Sequence, residues 1–236
     1  MSPLHPPYAV IFDFDGVLFE TEPTHCHALA HVLSEVGISL EWADYAEHYV
    51  GLSDREILHR LAIRFAALRD IDLDDLLERK SRKYLETTAH GVPPIDGAPA
   101  LIGRLIAQSI PRAICSGSRR EEIERLLSHA GLANAFDAIV ATEDVSASKP
   151  SPEGYQLAFR KLNALHPELT EDRCVVIEDA AAGVEAARSA RMRVVALTKT
   201  YGDNASAAPD ARVDSLDVLS HAFVGKLVQS GIHRAN

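Results

Sequence analysis

Two aspartates one residue apart, Asp13 and Asp15, follow directly on the apolar run 8–12 and are closed off by Gly16. The run has the length and the β-branched and aromatic content of a fully buried strand. A buried strand that delivers two carboxylates at its end is costly unless something compensates their charge. Three more polar groups recur downstream: Ser116-Gly117-Ser118 with Arg119 and Arg120, then Lys149-Pro150, then Glu178-Asp179. Each has an ordinary structural use. Asp-x-Asp-Gly can be a turn, Ser116 or Ser118 can cap a helix, Lys149 can be a solvated lysine, and Asp179 can N-cap the helix after it. Their joint occurrence resists that reading. Carboxylates gathered at one edge repel and shift one another's pKa values unless a cation sits among them, and an all-oxygen set with open positions suits Mg²⁺. Such a set fits phosphoryl transfer. One carboxylate is a candidate nucleophile, while Lys149, the Ser116 hydroxyl and backbone N–H groups after it steady the transferring group. A second carboxylate is placed to move a proton.

The elements that must hold these groups are legible as alternating patterns. After the first strand, Pro23 suits the first position of a helix. Ala28, Leu29, Val32, Leu33 and Val36 repeat at helical spacing, and Gly37 stops them. Further helices are predicted over 42–50, 54–68 and 73–88, the second with Leu58, Leu61, Ala62 and Phe65 on one face, and no strand is expected between 23 and 90. A two-proline loop at 92–97 returns the chain to a second texture. There, predicted helices over 98–108, 119–129, 153–162 and 180–190 alternate with strands over 112–115, 136–140, 174–177 and 194–197, and a last helix covers 215–228. This is the pattern of an α/β protein: a Rossmann-like parallel sheet with helices on both faces, carrying an inserted all-helical cap. The core is expected to comprise 1–22 and 91–236, and the cap 23–90. A parallel sheet collects the polar groups along its carboxyl edge.

The quoted motifs DFDGVL, SGS, KP and EDAAAG, in that order, resemble those of a haloacid dehalogenase-like hydrolase with a helical cap, in the branch of β-phosphoglucomutase and phosphoglycolate phosphatase. The resemblance covers essentially the whole chain. It implies Asp13 as nucleophile, Asp15 as general acid and base, and Ser116 and Lys149 as phosphoryl ligands. It also implies Mg²⁺ held by Asp13, the Asp15 backbone carbonyl and Asp179, with Glu178 close by. Gly117 and Ser118 complete the phosphate loop, and Arg119 is the better substrate contact of the arginine pair. An aspartate at position 15 points to phosphate esters, because the dehalogenases of the superfamily lack it.

Phosphatase and mutase are separated less sharply. Thr21 and His25 fall where the mutase pattern has its Thr and His, a His that many phosphatases of this branch share; the other use of His25 is a partly exposed helix histidine. Gly51 and Ser53 match the mutase's cap loop, but Val50 and Asp54 replace both of its cations, and Arg55 comes one position late. A mutase must hold a bisphosphate and needs a cation there. The expectation is a Mg²⁺-dependent phosphatase acting on a small phosphorylated metabolite such as a sugar phosphate, with a hexose phosphate mutase as the rival. A receiver-like signalling module is disfavoured by motif order, and a non-catalytic binding protein by the fully occupied catalytic positions.

Bulk properties bound the partners. A net charge of −10 argues against nucleic acid, which needs a basic footprint. No apolar stretch is long enough to span a bilayer, residues 1–7 lack a secretory pattern, and the three cysteines are odd in number and far apart. A cytoplasmic monomer or weak dimer with no membrane partner is expected. His27 and His31, four apart on one helix face, lack a third ligand for zinc.

Overall fold

In a computed structural model of the chain, which describes residues 8–198 and 208–229, six parallel strands form one sheet in the order β3-β2-β1-β4-β5-β6. They are β1 Ala9–Phe12, β2 Arg112–Cys115, β3 Ala138–Val140, β4 Cys174–Glu178, β5 Arg193–Leu197 and β6 Ala211–Val213. The order places β1 between β2 and β4, with Phe12 level with Ile114 on one side and Ile177 on the other. The chain winds outward from β1 through β2 to β3, then crosses back to β4 and winds outward the other way to β6, and this reversal between β1 and β4 opens a crevice at the carboxyl ends of the strands. Residues 1–7, 199–207 and 230–236, assigned above to the core, lie outside the described residues.

Both faces of the sheet are covered, which is why its strands read as continuous apolar runs. Val10 and Phe12 point into a cluster with helices α5 (Ala98–Ala107), α6 (Arg120–His129) and α9 (His221–Gln229). Ala9 and Ile11 point the other way, into a cluster with α7 (Glu153–Leu165) and α8 (Ala181–Ser189). The three cysteines are buried free thiols within such packing.

Helices α1 (Glu22–Ser34), α2 (Trp42–His48), α3 (Asp54–Arg64) and α4 (Leu73–Thr87) close over an apolar cluster of their own, built on Leu29, Leu33, Ile57, Leu61 and Leu76. Among the described residues from 23 to 90 there is no strand. No helix of the described residues is long and apolar enough to cross a membrane.

Four expectations need correction. The helix over 54–68 ends at Arg64; Phe65 is extended and a short 3₁₀ turn, Ala66–Leu68, buries Leu68. The sequence holds no breaker there, so the bend is set by packing against the helical cluster. The tail is two pieces, a 3₁₀ turn Leu216–Val218 and then α9, whose first turn is bonded by Phe223 N to Ser220 Oγ at 3.2 Å. Strand β6 had no counterpart in the sequence reading, because three residues with one buried side chain carry no periodic signal. Strand β3 also starts two residues late.

Candidate active site

The end of β1 turns at once into the crevice. Asp13 N donates to Ile177 O at 2.9 Å, the last rung tying β1 to β4, and beyond it the chain coils through Asp15 and Gly16, whose φ of +77° favours glycine. This turn aims the two carboxylates into different surroundings. Asp13 faces the core loops. Lys149 Nζ lies 2.7 Å from Asp13 Oδ1 and 2.6 Å from Glu178 Oε1. Glu178 is wholly buried: Oε1 also accepts from Tyr155 OH at 2.6 Å, and Oε2 accepts from Asp179 N and Ala180 N at 3.1 and 3.2 Å. A side chain added at Gly183, in the first turn of α8, would overlap the Glu178 carboxylate, so the glycine of the EDAAAG motif makes the room Glu178 occupies.

One ammonium serves three carboxylates here. Oxygens of Asp13, Glu178 and Asp179 all lie within 4.8 Å of one another, and Asp179 Oδ2 is buried with no hydrogen-bond partner among the described residues. Burial, followed by repulsion from Glu178, raises the Asp13 carboxyl well above the usual range, with Lys149 opposing. The same two causes raise Asp179. Burial works against the Lys149 ammonium, but Asp13 and Glu178 outweigh it and hold it charged. An all-oxygen cluster with an unpartnered buried acceptor and excess negative charge fits a hard divalent cation.

Asp15 lives in the opposite environment. Thr21 Oγ1 donates to Oδ1, with His25 Nε2 3.2 Å away, and Ser116 and Ser118 donate to Oδ2 at 3.1 and 2.6 Å. Burial alone would raise its pKa; His25 beside it and these donors reverse that and hold it ionised, well below the usual carboxylate range.

Behind Asp15 stands a group that sequence reasoning missed. Lys80, on α4, is fully buried; its Nζ is 2.5 Å from His25 Nδ1 and 2.6 Å from Asp54 Oδ2. Burial and the Lys80 charge press the His25 pKa down, and Asp15 and Asp54 more than restore it. The hydrogen bonding is more restrictive than the charge balance. Only a neutral imidazole can accept from an ammonium, so with Lys80 charged the ring holds its proton on Nε2, facing Asp15. Tyr84 stacks on His25 at 4.2 Å between centroids. The signal for Lys80 was its register: Leu76, Lys80 and Tyr84 fall four apart on the buried face of α4.

The helical block sits tightly on the core. Gly51, with φ +78°, would overlap Ala180 if it carried a Cβ, and a Cβ on Gly117 would meet Ser53 at 3.5 Å. Gly51 N donates to Glu22 Oε1 at 3.1 Å, and Tyr45 OH to Glu22 Oε2 at 2.6 Å, so Glu22 fixes this loop. Ser81 on α4 donates to the buried Glu122 on α6 at 2.9 Å.

Most of the predicted residues are therefore brought together. Asp13, Asp15, His25, Gly51, Gly117, Ser118 and Lys149 line one small pocket, with Glu22, Tyr45 and Asp54 as unpredicted walls. Thr21 and Ser116 reach it through Asp15. Ser53 is used differently, its hydroxyl accepting from Glu56 N at 3.4 Å as the N-cap of α3. Arg119 stands outside, in a neighbouring cleft, with Nε 3.9 Å from Glu143. His25 is buried rather than partly exposed, and the residue before α8 is Ala180, so Asp179 is not its cap.

A parallel sheet in this order, with paired aspartates after β1, a serine loop after β2, a lysine before α7 and an acidic pair after β4, defines a class of phosphoryl-handling hydrolases. The sequence profile described as haloacid dehalogenase-like hydrolase matches residues 10–197. The chain is 31% identical over 229 residues to Protein CbbY of Rhodobacter capsulatus, covering 93% of this chain and 98% of that protein. It is 32% identical over 191 residues to the fructose-1-phosphate phosphatase YqaB of Escherichia coli, covering 79% and 94%. The crystal structure of β-phosphoglucomutase from Clostridium difficile superposes with a TM-score of 0.84 at 26% identity, covering 97% of this chain and all of that one. This protein belongs to the haloacid dehalogenase-like hydrolase family.

Proposed function

We propose that the protein is a Mg²⁺-dependent phosphatase of small phosphorylated metabolites such as sugar phosphates, acting through an aspartyl-phosphate. The observation that carries this reading is the different setting of Asp13 and Asp15 within one pocket: Asp13 lies against Lys149 beside Glu178 and Asp179, and Asp15 lies among His25 and the hydroxyls of Thr21, Ser116 and Ser118. Asp13 lies against Lys149 at the end of β1, with no hydroxyl donor of the Asp15 kind. Its carboxylate attacks phosphorus, forming an acyl phosphate as the bond to the alcohol oxygen breaks. Asp15 gives that oxygen its proton. The approach of a phosphate anion raises the pKa of an otherwise ionised Asp15 and so loads it for this step. In the second step Asp15 takes a proton from water as the water attacks phosphorus, releasing inorganic phosphate and restoring Asp13. Thr21, His25 and Ser118 orient Asp15, and Glu178, itself held by Tyr155, orients Lys149.

Asp13, Asp179 and the Asp15 carbonyl would hold Mg²⁺, which neutralises charge on the phosphoryl oxygens. Glu178 adds field, its oxygens being already engaged with Lys149, Tyr155 and two backbone amides. In this reading 23–90 is a cap, and it is shut over a core assigned to 1–22 and 91–236. A shut cap excludes water from the intermediate. The relatives include both phosphatases and β-phosphoglucomutases. Asp54 favours the phosphatase, since a carboxylate bonded to Lys80 stands where a mutase presents a cation.

Phosphate release from a panel of sugar phosphates with Mg²⁺ tests this. Asp13→Asn is expected to lower kcat by about 10⁴-fold or more, and EDTA to abolish turnover reversibly. Undiminished release in Asp13→Asn would sink the mechanism. Isomer interconversion primed by a bisphosphate, without net release, would favour the mutase.

A further inference from the structure

The shut pocket around Asp13 and Asp15 has a free volume of only about 30 Å³. That is room for roughly two water-sized bodies, a place for the reacting group and little more. A second cleft of about 380 Å³ meets this pocket at Asp54 and Gly117, the two residues that line both. It lies between α3 and α4 on one side and the start of α6 on the other, and its size falls in the range of small-molecule sites. The alcohol portion of a substrate whose phosphorus sits at Asp13 has this cleft as its way out.

The lining of the cleft is charged in one direction. Asp54, Asp74, Glu78 and Glu143 face it, against Arg55 and Arg119. Neither guanidinium is uncommitted: Arg55 pairs with Asp74 at 2.9 Å and Arg119 faces Glu143 at 3.9 Å. Asp54 is offset by the buried Lys80, and Glu78 makes no ion pair with any described residue. A second anionic group in the cleft therefore meets carboxylates and already paired arginines, while a hydroxyl or an ammonium meets acceptors.

We propose that this cleft holds the leaving group and selects by charge: phosphomonoesters whose alcohol portion is neutral or carries a protonated amine are turned over, and those with a second negative charge are rejected. The proposal rests on the phosphatase reading and narrows its substrate class. Glucosamine-6-phosphate and glucose-6-phosphate compare an ammonium with a hydroxyl on one ring, 6-phosphogluconate carries a carboxylate on the open-chain form of the same carbon skeleton, and p-nitrophenyl phosphate is a generic reporter of hydrolysis. In kcat/KM, 6-phosphogluconate is expected to fall about tenfold or more below glucose-6-phosphate, with glucosamine-6-phosphate at or above it. Glu78→Lys, an exposed change on α4, is expected to narrow the gap between the anionic and neutral sugars by about threefold or more. Glu47→Lys makes the same change in net charge on exposed α2, away from the cleft, and is expected to leave the gap as it was. Equal turnover of the three sugars, or a gap that Glu78→Lys does not move, overturns the charge selection while hydrolysis of p-nitrophenyl phosphate keeps the phosphatase standing. A gap that narrows equally with Glu47→Lys assigns the effect to overall charge and overturns it too. No hydrolysis of any of the four brings down both readings together.

Discussion

Two lysines, Lys149 in the wall of the pocket and Lys80 buried behind His25 and Asp54, are compensated differently. Lys149, from the core, touches Asp13 and Glu178 at 2.7 and 2.6 Å, with Asp179 close behind. Lys80, from the helical block, touches Asp54 and His25 at 2.6 and 2.5 Å, with Glu122 acting on it from α6. Around Lys80 the donors and acceptors close: the ammonium fills the space among His25, Asp54 and Glu122 that a metal could otherwise take. Around Lys149 they do not close, and Asp179 is left with an unpartnered oxygen. A buried charge cluster that balances locks two parts of a molecule together. One that does not balance is waiting for a ligand, and it lowers stability until the ligand comes.

The sharpest test of that contrast removes the ammoniums one at a time. Lys80→Met leaves Asp54 and Glu122 facing each other without a cation, and is expected to cost about 3–5 kcal/mol in denaturant unfolding. Mg²⁺ should not recover this loss, because the Met side chain keeps the space among His25, Asp54 and Glu122 filled with apolar atoms. Lys149→Met is expected to cost a similar amount without metal and to regain part of it when Mg²⁺ is added. Equal recovery in the two variants would erase the distinction between a closed and an open cluster.

A smaller effect, of opposite sign, is expected at Asp179. Its folded pKa is raised, so in the metal-free protein it withdraws stability as pH rises above the unfolded value of about 3.9, and the whole penalty is present once the folded pKa is passed. Asp179→Asn is therefore expected to stabilise the metal-free protein at neutral pH by about 1–2 kcal/mol, a gain that vanishes toward pH 3. It should also abolish the rise in Tm on adding Mg²⁺ and most of the activity. Destabilisation by Asp179→Asn at neutral pH would mean that Asp179 is structural.

The smallest expected effect lies where the block meets the core. Gly51→Ala places a Cβ against Ala180 at a backbone φ of +78° and is expected to cost about 1 kcal/mol or slightly more. Because it prises the loop from the core, its larger readout is a raised KM for a substrate that needs the shut form. An unchanged KM would show that the loop closes by another route.

How far the sequence went differs from one element to the next. Strands β1, β2, β4 and β5 are buried on both faces, so each shows as an unbroken apolar run, and the helices between them show by period; parallel pairing then follows from right-handed crossovers, while the strand order came only with the structure. The catalytic groups were legible for a related reason. Asp13, Ser116, Lys149, Glu178 and Asp179 each follow a strand or precede a helix at a fixed offset, so local sequence carries them to the sheet's edge. Chain-local chemistry fixed which side chains gather there.

Tertiary packing alone decided their charge states and the shape of the pocket. Whether Asp15 sits ionised and Asp13 raised depends on His25, Lys149 and Glu178, which lie from 10 to 165 residues away along the chain. Lys80 was hidden because a lysine on a helix usually reaches water, and only the approach of α4 to His25, Asp54 and Glu122 makes its burial tolerable. Ser53 and Arg119 show the same limit: sequence puts both near the site, but packing makes Ser53 the cap of α3 and sets Arg119 in the neighbouring cleft rather than at the reacting atoms. Electrostatic energy depends on distance through space and on burial, and neither is written in the spacing along the chain.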